Sequence, residues 1–294
     1  MTHHIRVLEP DADIYAFYDG RIDGYRFAAG PNWVDAGAIS LGIASYALVS
    51  GERALVYDTH VSVEHAGYVR DSLERRGVQE FTVLLSHWHL DHIAGTSAFG
   101  DCEVIACDRT AELMVQHRRA IERGEHEGPP AIDPLVLPTS TFSGRRSLTL
   151  GDLSLELIHT DIHSDDATVI WIDERRLLLC GDTMEDTVTY VAEPERLNEH
   201  IANLELLWQL SPARILPNHG SPERIGGGGY RREMIRATQD YIRALQRAGN
   251  DPGVRDAPLR ELVAGWVRAG AVDYFEPYEA VHRENLEAVL RITG

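Results

Sequence analysis

The sequence predicts an α/β fold in which two mixed β-sheets pack face to face and helices cover their outer sides. Two groups of strand patterns occur along the 294 residues, and helical patterns lie between and after them. Short turns join several of the strands into hairpins, which excludes a purely parallel, doubly wound sheet. Two sheets in contact, with helices outside, satisfy both observations.

The first group of strand patterns lies in the N-terminal half. Runs of β-type residues predict strands at 13–18, 43–49, 53–57, 81–85 and 102–106. The turn Ser50-Gly51-Glu52 makes a hairpin of the second and third strands. Residues 61–76 have apolar side chains at helical spacing and end at Gly77, a typical helix stop, and a second helix is predicted over 109–123.

Two long segments of this half show no periodicity. Residues 19–41 are rich in glycine and contain Trp33, and residues 124–134 contain three prolines. Long loops in compact domains are often functional, so the first could wall a pocket, and the second either covers a site or crosses the surface.

The second group of strands leads into helices. Strands are predicted at 147–150, 153–159, 168–172, 176–180 and 214–216, with hairpin turns at Gly151-Asp152 and Asp173-Glu174. Helices are predicted at 194–210, 230–248, 257–269 and 277–291. We therefore divide the chain into a domain at 1–229 and a C-terminal helical extension at 230–294 that packs on it.

Composition excludes several classes of function. The chain has 28 Lys and Arg against 46 Asp and Glu, and this net charge of −18 argues against a nucleic-acid partner. No apolar run reaches the roughly 18 residues of a membrane helix, and MTHHIRVLEPDAD lacks the apolar core of a secretion signal. We expect a cytoplasmic protein with reduced cysteines at 102, 107 and 180.

The most informative motif is His87-Trp88-His89-Leu90-Asp91-His92, which follows the predicted strand Phe81–Leu85. It places four potential metal ligands within six residues, and a turn after a strand spreads them toward two neighbouring points. Isolated histidines usually lie on surfaces or in hydrogen-bonded positions, but this pattern at a strand end favours a two-metal site. Imidazole and carboxylate ligands suit zinc, iron or manganese, whereas a structural zinc site would use cysteines.

Further ligand-type side chains follow the later predicted strands. His159 and His163 come after the strand that ends at Ile158, Asp182 follows the strand that ends at Cys180, and His219 follows Leu216. A second metal needs more ligands than the first motif offers, and these positions supply them.

These residues carry a family resemblance. HWHLDH at 87–92, HTDIHS at 159–164, CGDT at 180–183 and PNHG at 217–220 occur in the order and approximate spacing of metallo-β-lactamase superfamily hydrolases. The sequence resembles that superfamily over about residues 10–222. The resemblance implies an αββα sandwich with the metals at one edge, between the two sheets.

The resemblance also implies the ligand set. His87, His89 and His163 would bind the first metal, Asp91, His92 and His219 the second, and Asp182 would bridge both. His159 is the alternative to His163. We favour His163 because SDDATVIW follows it, as the family's ligand histidine runs into the next strand, and we expect His159 behind the ligands or as a hydrogen-bonded loop residue.

Three departures from the family pattern bear on function. Asp58-Thr59-His60 stands where the family has Asp-Thr-Gly; Asp58 would orient a ligand imidazole, and His60 faces either substrate or solvent. The phrase HTPGH is HTDIH here, unlike hydroxyacylglutathione hydrolases. Zinc β-lactamases have Cys, Ser or His where this chain has Asp182, which disfavours β-lactam hydrolysis.

The resulting hypothesis is a dinuclear metal-dependent hydrolase with two divalent ions, zinc before iron or manganese, acting on an ester, a lactone or a similar small acyl substrate. A metal-bridging hydroxide would attack the carbonyl, and Asp91 would take and return the proton. The alternatives are hydrolysis of β-lactams, thioesters or phosphodiesters, and a non-hydrolytic iron redox or binding role.

The sequence leaves the partners and the substrate contacts open. We expect a small-molecule substrate, with neither nucleic acid nor membrane as a partner. Candidate substrate contacts are Trp33, His60, Tyr190 and Tyr230. The C-terminal helices either close the pocket, form a homodimer or simply pack on the domain.

Overall fold

The computed structural model describes residues 3–293 and contains two mixed β-sheets. The first sheet has seven strands in chain order, namely β1 (Arg6–Asp11), β2 (Ile14–Asp19), β3 (Ile43–Ser50), β4 (Arg53–Tyr57), β5 (Glu80–Leu84), β6 (Glu103–Cys107) and β7 (Ser140–Phe142). Strands β1–β4 pair antiparallel, and β4–β7 pair parallel.

The second sheet has five strands and is antiparallel except at one edge. Its strands are β8 (Arg145–Leu150), β9 (Leu153–His159), β10 (Thr168–Ile172), β11 (Leu177–Gly181) and β12 (Arg214–Pro217). Strand β12 lies parallel to β11 at the edge opposite β8. The prediction of two mixed sheets is confirmed.

Helices connect and follow these strands. They are α1 (Val63–Glu74), α2 (Leu90–Ile93), α3 (Asp108–Glu122), α4 (Leu197–Gln209), α5 (Pro222–Gly226), α6 (Glu233–Arg247), α7 (Pro252–Arg255), α8 (Leu259–Arg268) and α9 (Tyr278–Thr293). None of the helices within residues 3–293 is long and apolar enough to span a membrane.

The alternation of side chains along β3 and β4 separates two hydrophobic cores. Tyr46 and Leu55 point to the core shared with the second sheet, whereas Ala47 and Val56 point to a core formed with α1 and α3. Residues of a strand alternate between its two faces, so each sheet has one face on its partner and one under helices. Strands β10 and β11 are buried along their whole length, as this arrangement requires.

The structure adds elements that the sequence analysis missed. Strands β1 and β7 were not predicted, and a short π-helix at Val34–Ile39 lies within the segment 19–41 that we had interpreted as a loop. That segment is pinned to the proline-rich loop, since the backbone N–H and the Nε1–H of Trp33 donate to the carbonyls of Pro129 and Pro130. It also lines an open cavity of about 650 Å³ together with residues 275–277, and the lining residues include none of the predicted metal ligands.

Candidate metal centre

The seven predicted ligands meet where strands of both sheets end. Parallel pairing of β4 with β5, and of β11 with β12, sends the carboxyl ends of each pair in one direction. The HWHLDH motif follows β5, and its last two ligands, Asp91 and His92, lie in the short helix α2. Asp182 comes directly after β11 and His219 shortly after β12.

A left-handed glycine makes the turn that presents Asp182. Gly181 has a φ of +55°, and a Cβ atom there would lie 3.0 Å from the hydroxyl of Tyr57 and 3.1 Å from Cβ of Ser86. A side chain at this position would therefore face both a strained backbone and a steric conflict. Asp58, His60 and His163 also have positive φ, and such backbone conformations cluster at functional sites.

His87, His89 and His163 form the first ligand group. The Nε2 atom of His163 lies 3.2 Å from Nε2 of His87 and 3.0 Å from Nδ1 of His89. His163 is 3 % exposed and His87 is 1 % exposed, so these nitrogens face one another with little access to water.

Asp91, His92, Asp182 and His219 form the second group. His92 Nε2 lies 2.9 Å from Oδ2 of Asp182 and 3.5 Å from Oδ1 of Asp91. His219 Nε2 lies 3.2 Å from Oδ2 of Asp91 and 3.4 Å from Oδ2 of Asp182. The four ligand atoms thus surround one point beside the first group.

Asp182 stands between the two groups. Its Oδ2 atom is also 3.8 Å from Nε2 of His87 and 3.9 Å from Nε2 of His163. Its Oδ1 atom is buried and has no hydrogen-bond partner among the described residues. A buried carboxylate oxygen without a donor costs free energy, and a cation between the groups would satisfy it.

The opposite ring nitrogen of four ligand histidines contacts the protein and fixes the ring. Nδ1 of His92 lies 2.9 Å from Oδ2 of Asp58, and Nδ1 of His219 lies 2.9 Å from the carbonyl of Gly42. Nδ1 of His163 lies 3.1 Å from the carbonyl of Tyr190, and Nδ1 of His87 lies 2.8 Å from the hydroxyl of Ser86. The carboxylate and the two carbonyls accept from Nδ1–H, which directs Nε2 of His92, His219 and His163 toward a metal, whereas the Ser86 hydroxyl can donate or accept.

Asp58 connects several of these groups. Besides its contact with His92, it accepts the backbone N–H of Ser86 at 2.6 Å and the side-chain amide of Asn218 at 2.6 Å. It therefore ties β4 to the start of the HWHLDH motif and to the segment after β12. The structure places Asp58 in the supporting position that the resemblance implied.

Asp166 is a supporting residue that the sequence analysis missed. Its buried carboxylate accepts the backbone N–H of Trp88 at 2.9 Å and the hydroxyls of Ser164 and Thr110 at 2.5 and 2.8 Å. It thereby holds the HWHLDH turn against the loop that carries His163. The pattern SDD after His163 was visible, but nothing in it indicated which carboxylate would turn inward.

The electrostatics of the site favour cation binding. Burial lowers the pKa of His87 well below its usual range and that of His89 to about 3, so both are neutral. Burial opposes ionisation of Asp91, but His92 and His219 lower the pKa of its carboxyl to about 2. Burial opposes protonation of His92 and His219, but the charge of Asp182 raises the pKa of both well above the usual range, so a metal would displace a proton from each of these rings.

The chemistry of the donor set fits divalent metal ions. Five imidazoles and two carboxylates, without a cysteine among them, form the two converging groups. This combination suits zinc, iron or manganese in a site that keeps positions open. A third cluster, formed by His163, Asp182 and Glu185, adjoins the first and adds a buried carboxylate that we had not predicted.

For two other positions the sequence leaves alternatives open, and the structure excludes one alternative at each. His159 contacts the carbonyl of Asp165 through Nε2 at 2.8 Å, and its described contacts include no ligand side chain, so it is a loop residue and not a support of the ligands. His60 is 0 % exposed, which excludes solvent; it accepts the N–H of Val61 and stacks on His65.

The remaining candidate substrate contacts differ in how far their side chains are exposed to solvent. Trp33 is 6 % exposed and bonded to the proline-rich loop, and Tyr230 is 0 % exposed with its hydroxyl donated to Asp186. Neither presents a free polar atom at the surface of the site. Tyr190 is 36 % exposed and its ring centroid lies 5.9 Å from that of His163, so it borders the ligands.

Comparison with known proteins agrees with this geometry. The chain is 28% identical over 185 residues to a beta-lactamase-like protein 2 homolog of Drosophila melanogaster, covering 61% of this chain and 59% of that protein. It is 24% identical over 232 residues to the atrochrysone carboxyl ACP thioesterase nsrC of Aspergillus novofumigatus, covering 76% of this chain and 65% of that protein. The chain thus spans about six-tenths of the length of these curated relatives.

Structural comparison gives the same fold. A metallo-beta-lactamase from Pontibacter korlensis superposes with a TM-score of 0.61 at 15% identity, covering 82% of this chain and 99% of that one. The family model described as the metallo-beta-lactamase superfamily matches residues 40–219, which contain all seven candidate ligands. The predicted resemblance is confirmed: the chain belongs to the metallo-beta-lactamase superfamily.

Proposed function

We propose that this chain is a dinuclear metal-dependent hydrolase that acts on an ester, a lactone or a similar small acyl substrate. One observation carries the proposal. A single atom, Oδ2 of Asp182, lies 2.9 to 3.9 Å from ring nitrogens of four histidines that belong to two separate ligand groups. A carboxylate in that position can bridge two cations.

Each group would hold one ion. His87, His89 and His163 would bind the first, Asp91, His92 and His219 the second, and Asp182 would contact both. With two divalent ions bound, such a site supplies Lewis acidity toward a carbonyl oxygen and lowers the pKa of a bound water toward about 7. The donor set leaves zinc as our first choice and iron or manganese as alternatives.

Asp91 is the side chain suited to proton transfer. Its carboxyl is ionised, since His92 and His219 lower its pKa to about 2, and its side chain is 18% exposed while the other ligand carboxylate is 5% exposed. An ionised carboxylate at the open side of the site can accept a proton from the nucleophile and return it to the leaving group.

Two glutamates whose charges act on the candidate ligands have raised pKa values. Burial and the negative charge of Asp91 raise the pKa of Glu127 to about 7, although its side chain is 50% exposed. Burial and the charge of Asp165 raise the pKa of Glu193 to about 7. At neutral pH these carboxyls are partly ionised, so they carry less negative charge than ordinary glutamates.

Thioester hydrolysis is a second candidate, favoured by the similarity to the Aspergillus thioesterase. Both candidates require attack on an acyl carbon, and the leaving atom, oxygen or sulfur, distinguishes them. A panel in which each acyl group is offered as an oxygen ester, a lactone and a thioester would separate them through kcat/KM.

The metal content of the purified protein tests the proposal. We expect two divalent ions per chain in the wild type, loss of hydrolysis on chelation and recovery on adding zinc. Asp182→Ala should bind fewer than two ions, because it removes the carboxylate that both ligand groups share, and should hydrolyse none of the panel. Full hydrolysis by metal-free protein, or by Asp182→Ala, would refute the proposal.

A further inference from the structure

The segment between Asp182 and Glu193 joins the metal centre to the C-terminal extension. It follows the bridging carboxylate and passes beside His163, where two hydrogen bonds fix it. The Nδ1–H of His163 donates to the carbonyl of Tyr190, and the N–H of Ala192 donates to the carbonyl of His163 at 2.9 Å. The position of the His163 ring therefore depends on the backbone around Tyr190.

Asn285, in helix α9, forms hydrogen bonds with this backbone on both sides of Tyr190. Its Oδ1 atom accepts the N–H of Val191 at 2.9 Å, and its Nδ2 atom donates to the carbonyl of Thr189 at 3.0 Å. The same amide nitrogen lies 3.1 Å from the hydroxyl of Tyr241, which fixes the orientation of the amide. Asn285 is 0% exposed, so no water competes for these bonds.

A second contact from α9 reaches the same residue through Glu185. The N–H of Tyr190 donates to Oε1 of Glu185 at 2.9 Å, and the hydroxyl of Tyr278 donates to Oε2 of that carboxylate at 3.0 Å. Glu185 is 2% exposed and Tyr278 is 0% exposed. The backbone of Tyr190 is therefore fixed at its N–H by Glu185 and at both neighbouring peptides by Asn285.

This arrangement is unlike ordinary packing of a helix on a domain. Buried amides and carboxylates cost free energy unless every donor and acceptor is paired, and here the pairs converge on one residue beside a ligand histidine. Helix α9 lies outside residues 40–219, the part of the chain that the family model matches. The extension thus adds support that the matched region does not contain.

We propose, on the basis of the proposed metal centre, that Asn285 is a positioning residue for the first metal site. Through the Tyr190 backbone it orients His163, and it fixes the position of the Tyr190 ring beside the ligands. Tyr278 acts in the same direction through Glu185. The C-terminal extension is then part of the metal centre. Partners that orient ligand histidines typically change metal affinity about 10- to 100-fold when removed.

Zinc binding to the holoenzyme and its variants tests this role. Asn285→Leu keeps the branched shape and the number of heavy atoms of the side chain and removes both bonds to the segment. We expect one of its two zinc ions to bind about tenfold more weakly in competition with a chromophoric chelator. The cobalt-substituted variant should also show a changed visible spectrum, because the geometry of the His163 ligand changes. For substrates with bulky acyl groups, kcat/KM should fall because KM rises.

Leu286→Ala is the matched control, since Leu286 neighbours Asn285 in α9 and is 8% exposed in the core. It should lower the thermal midpoint yet keep wild-type zinc affinity and cobalt spectrum. If Asn285→Leu fails to fold, Tyr278→Phe decides, because it removes one hydroxyl group from the same network. Weaker binding of one zinc supports the inference and unchanged binding overturns it.

The outcomes also separate this inference from the proposed function. Wild-type zinc affinity in Asn285→Leu, or an equal loss of affinity in Leu286→Ala, would overturn the role of Asn285 and leave the dinuclear site intact. A wild-type protein that binds no divalent metal would overturn both.

Discussion

Replacing Asp58 with alanine should separate the stability of the fold from the affinity of the metal site. Asp58 is 1% exposed and accepts hydrogen bonds from Ser86 N–H, Asn218 Nδ2 and His92 Nδ1 at 2.6, 2.6 and 2.9 Å. Asp58→Ala leaves three buried donors without an acceptor. Removing one member of a buried charged network costs about 3–5 kcal/mol, and we expect the metal-free variant to lose about 4 kcal/mol of unfolding free energy.

The metal contribution adds to this loss. Because Asp58 fixes the ring of His92, its removal should weaken zinc binding about 10- to 100-fold. By mass action, that lowers the zinc-dependent part of the unfolding free energy by about 1.4–2.7 kcal/mol at a fixed excess of zinc. The holo form of Asp58→Ala should therefore lose more stability than its metal-free form.

Urea denaturation of both forms, with zinc competition on the same samples, measures the two quantities. Glu80→Ala is a suitable control, since Glu80 lies in β5 and its side chain, paired with Arg53, is 74% exposed. It should leave both measurements close to wild type. Equal losses in the holo and metal-free forms of Asp58→Ala would refute the link between Asp58 and the metal.

Three further predictions follow from particular residues. His163→Gln should lose about one of two bound metal ions while His159→Gln keeps both, as measured by metal analysis; the reverse result would exchange their roles. The carboxyl of Glu127 has a pKa raised to about 7, so it becomes negatively charged as the pH rises through that value. KM for a carboxylate-bearing ester should therefore rise about fivefold from about pH 6 to 8, whereas KM for its neutral analogue should not. Glu127→Gln should remove the difference between the two substrates. Gly181→Ala, at a φ of +55° and 3.0 Å from the Tyr57 hydroxyl, should lose at least about 1–2 kcal/mol of unfolding free energy, and an unchanged urea midpoint would show that the turn adapts.

The fold and the positions of the candidate ligands were readable from the sequence, because strand patterns and the His and Asp residues at strand ends are local signals. Which candidates would share a metal was implied by the family resemblance. A strand that ends in a turn of His and Asp residues is visible without knowledge of its neighbours, as HWHLDH after β5 illustrates. Parallel pairing then brings such ends together. Asp58 directly follows β4, and its supporting role was implied by the family resemblance.

The support for the ligands was not readable, because it depends on residues far apart in the chain. Asp166 contacts Trp88 across 78 positions, and Asn285 contacts Val191 across 94. The sequence does not show whether a single Asn on an amphipathic helix faces water or binds a buried peptide group. Strand β7 has three residues and β1 is mostly half-buried, so neither carries a clear alternating pattern.

The altered phrase HTDIH keeps His163 among the candidate ligands although two residues of the family pattern are replaced. Asp161 replaces the family's proline, and its carboxylate pairs with Arg196, next to α4. His200, buried in α4, lies 3.5 Å from the other oxygen of the same carboxylate. Ile162 replaces the glycine and is 0% exposed. The loop that carries His163 is thus held by an ion pair and a buried apolar side chain.

The contacts of Asp161 and Ile162 bear on the choice of substrate. Asp161 and Ile162 hold the loop through contacts with the protein and not with a substrate. The phrase HTDIH therefore no longer argues against a thioester substrate. Selection has to come from side chains that border the ligands and keep some exposure. Tyr190 meets that condition, since its ring centroid lies 5.9 Å from that of His163, and Asn285 of helix α9 binds the backbone on both sides of it. If the substrate is chosen there, exchanging Tyr190 for Phe or Ala should change kcat/KM among acyl groups while zinc content stays at the wild-type value.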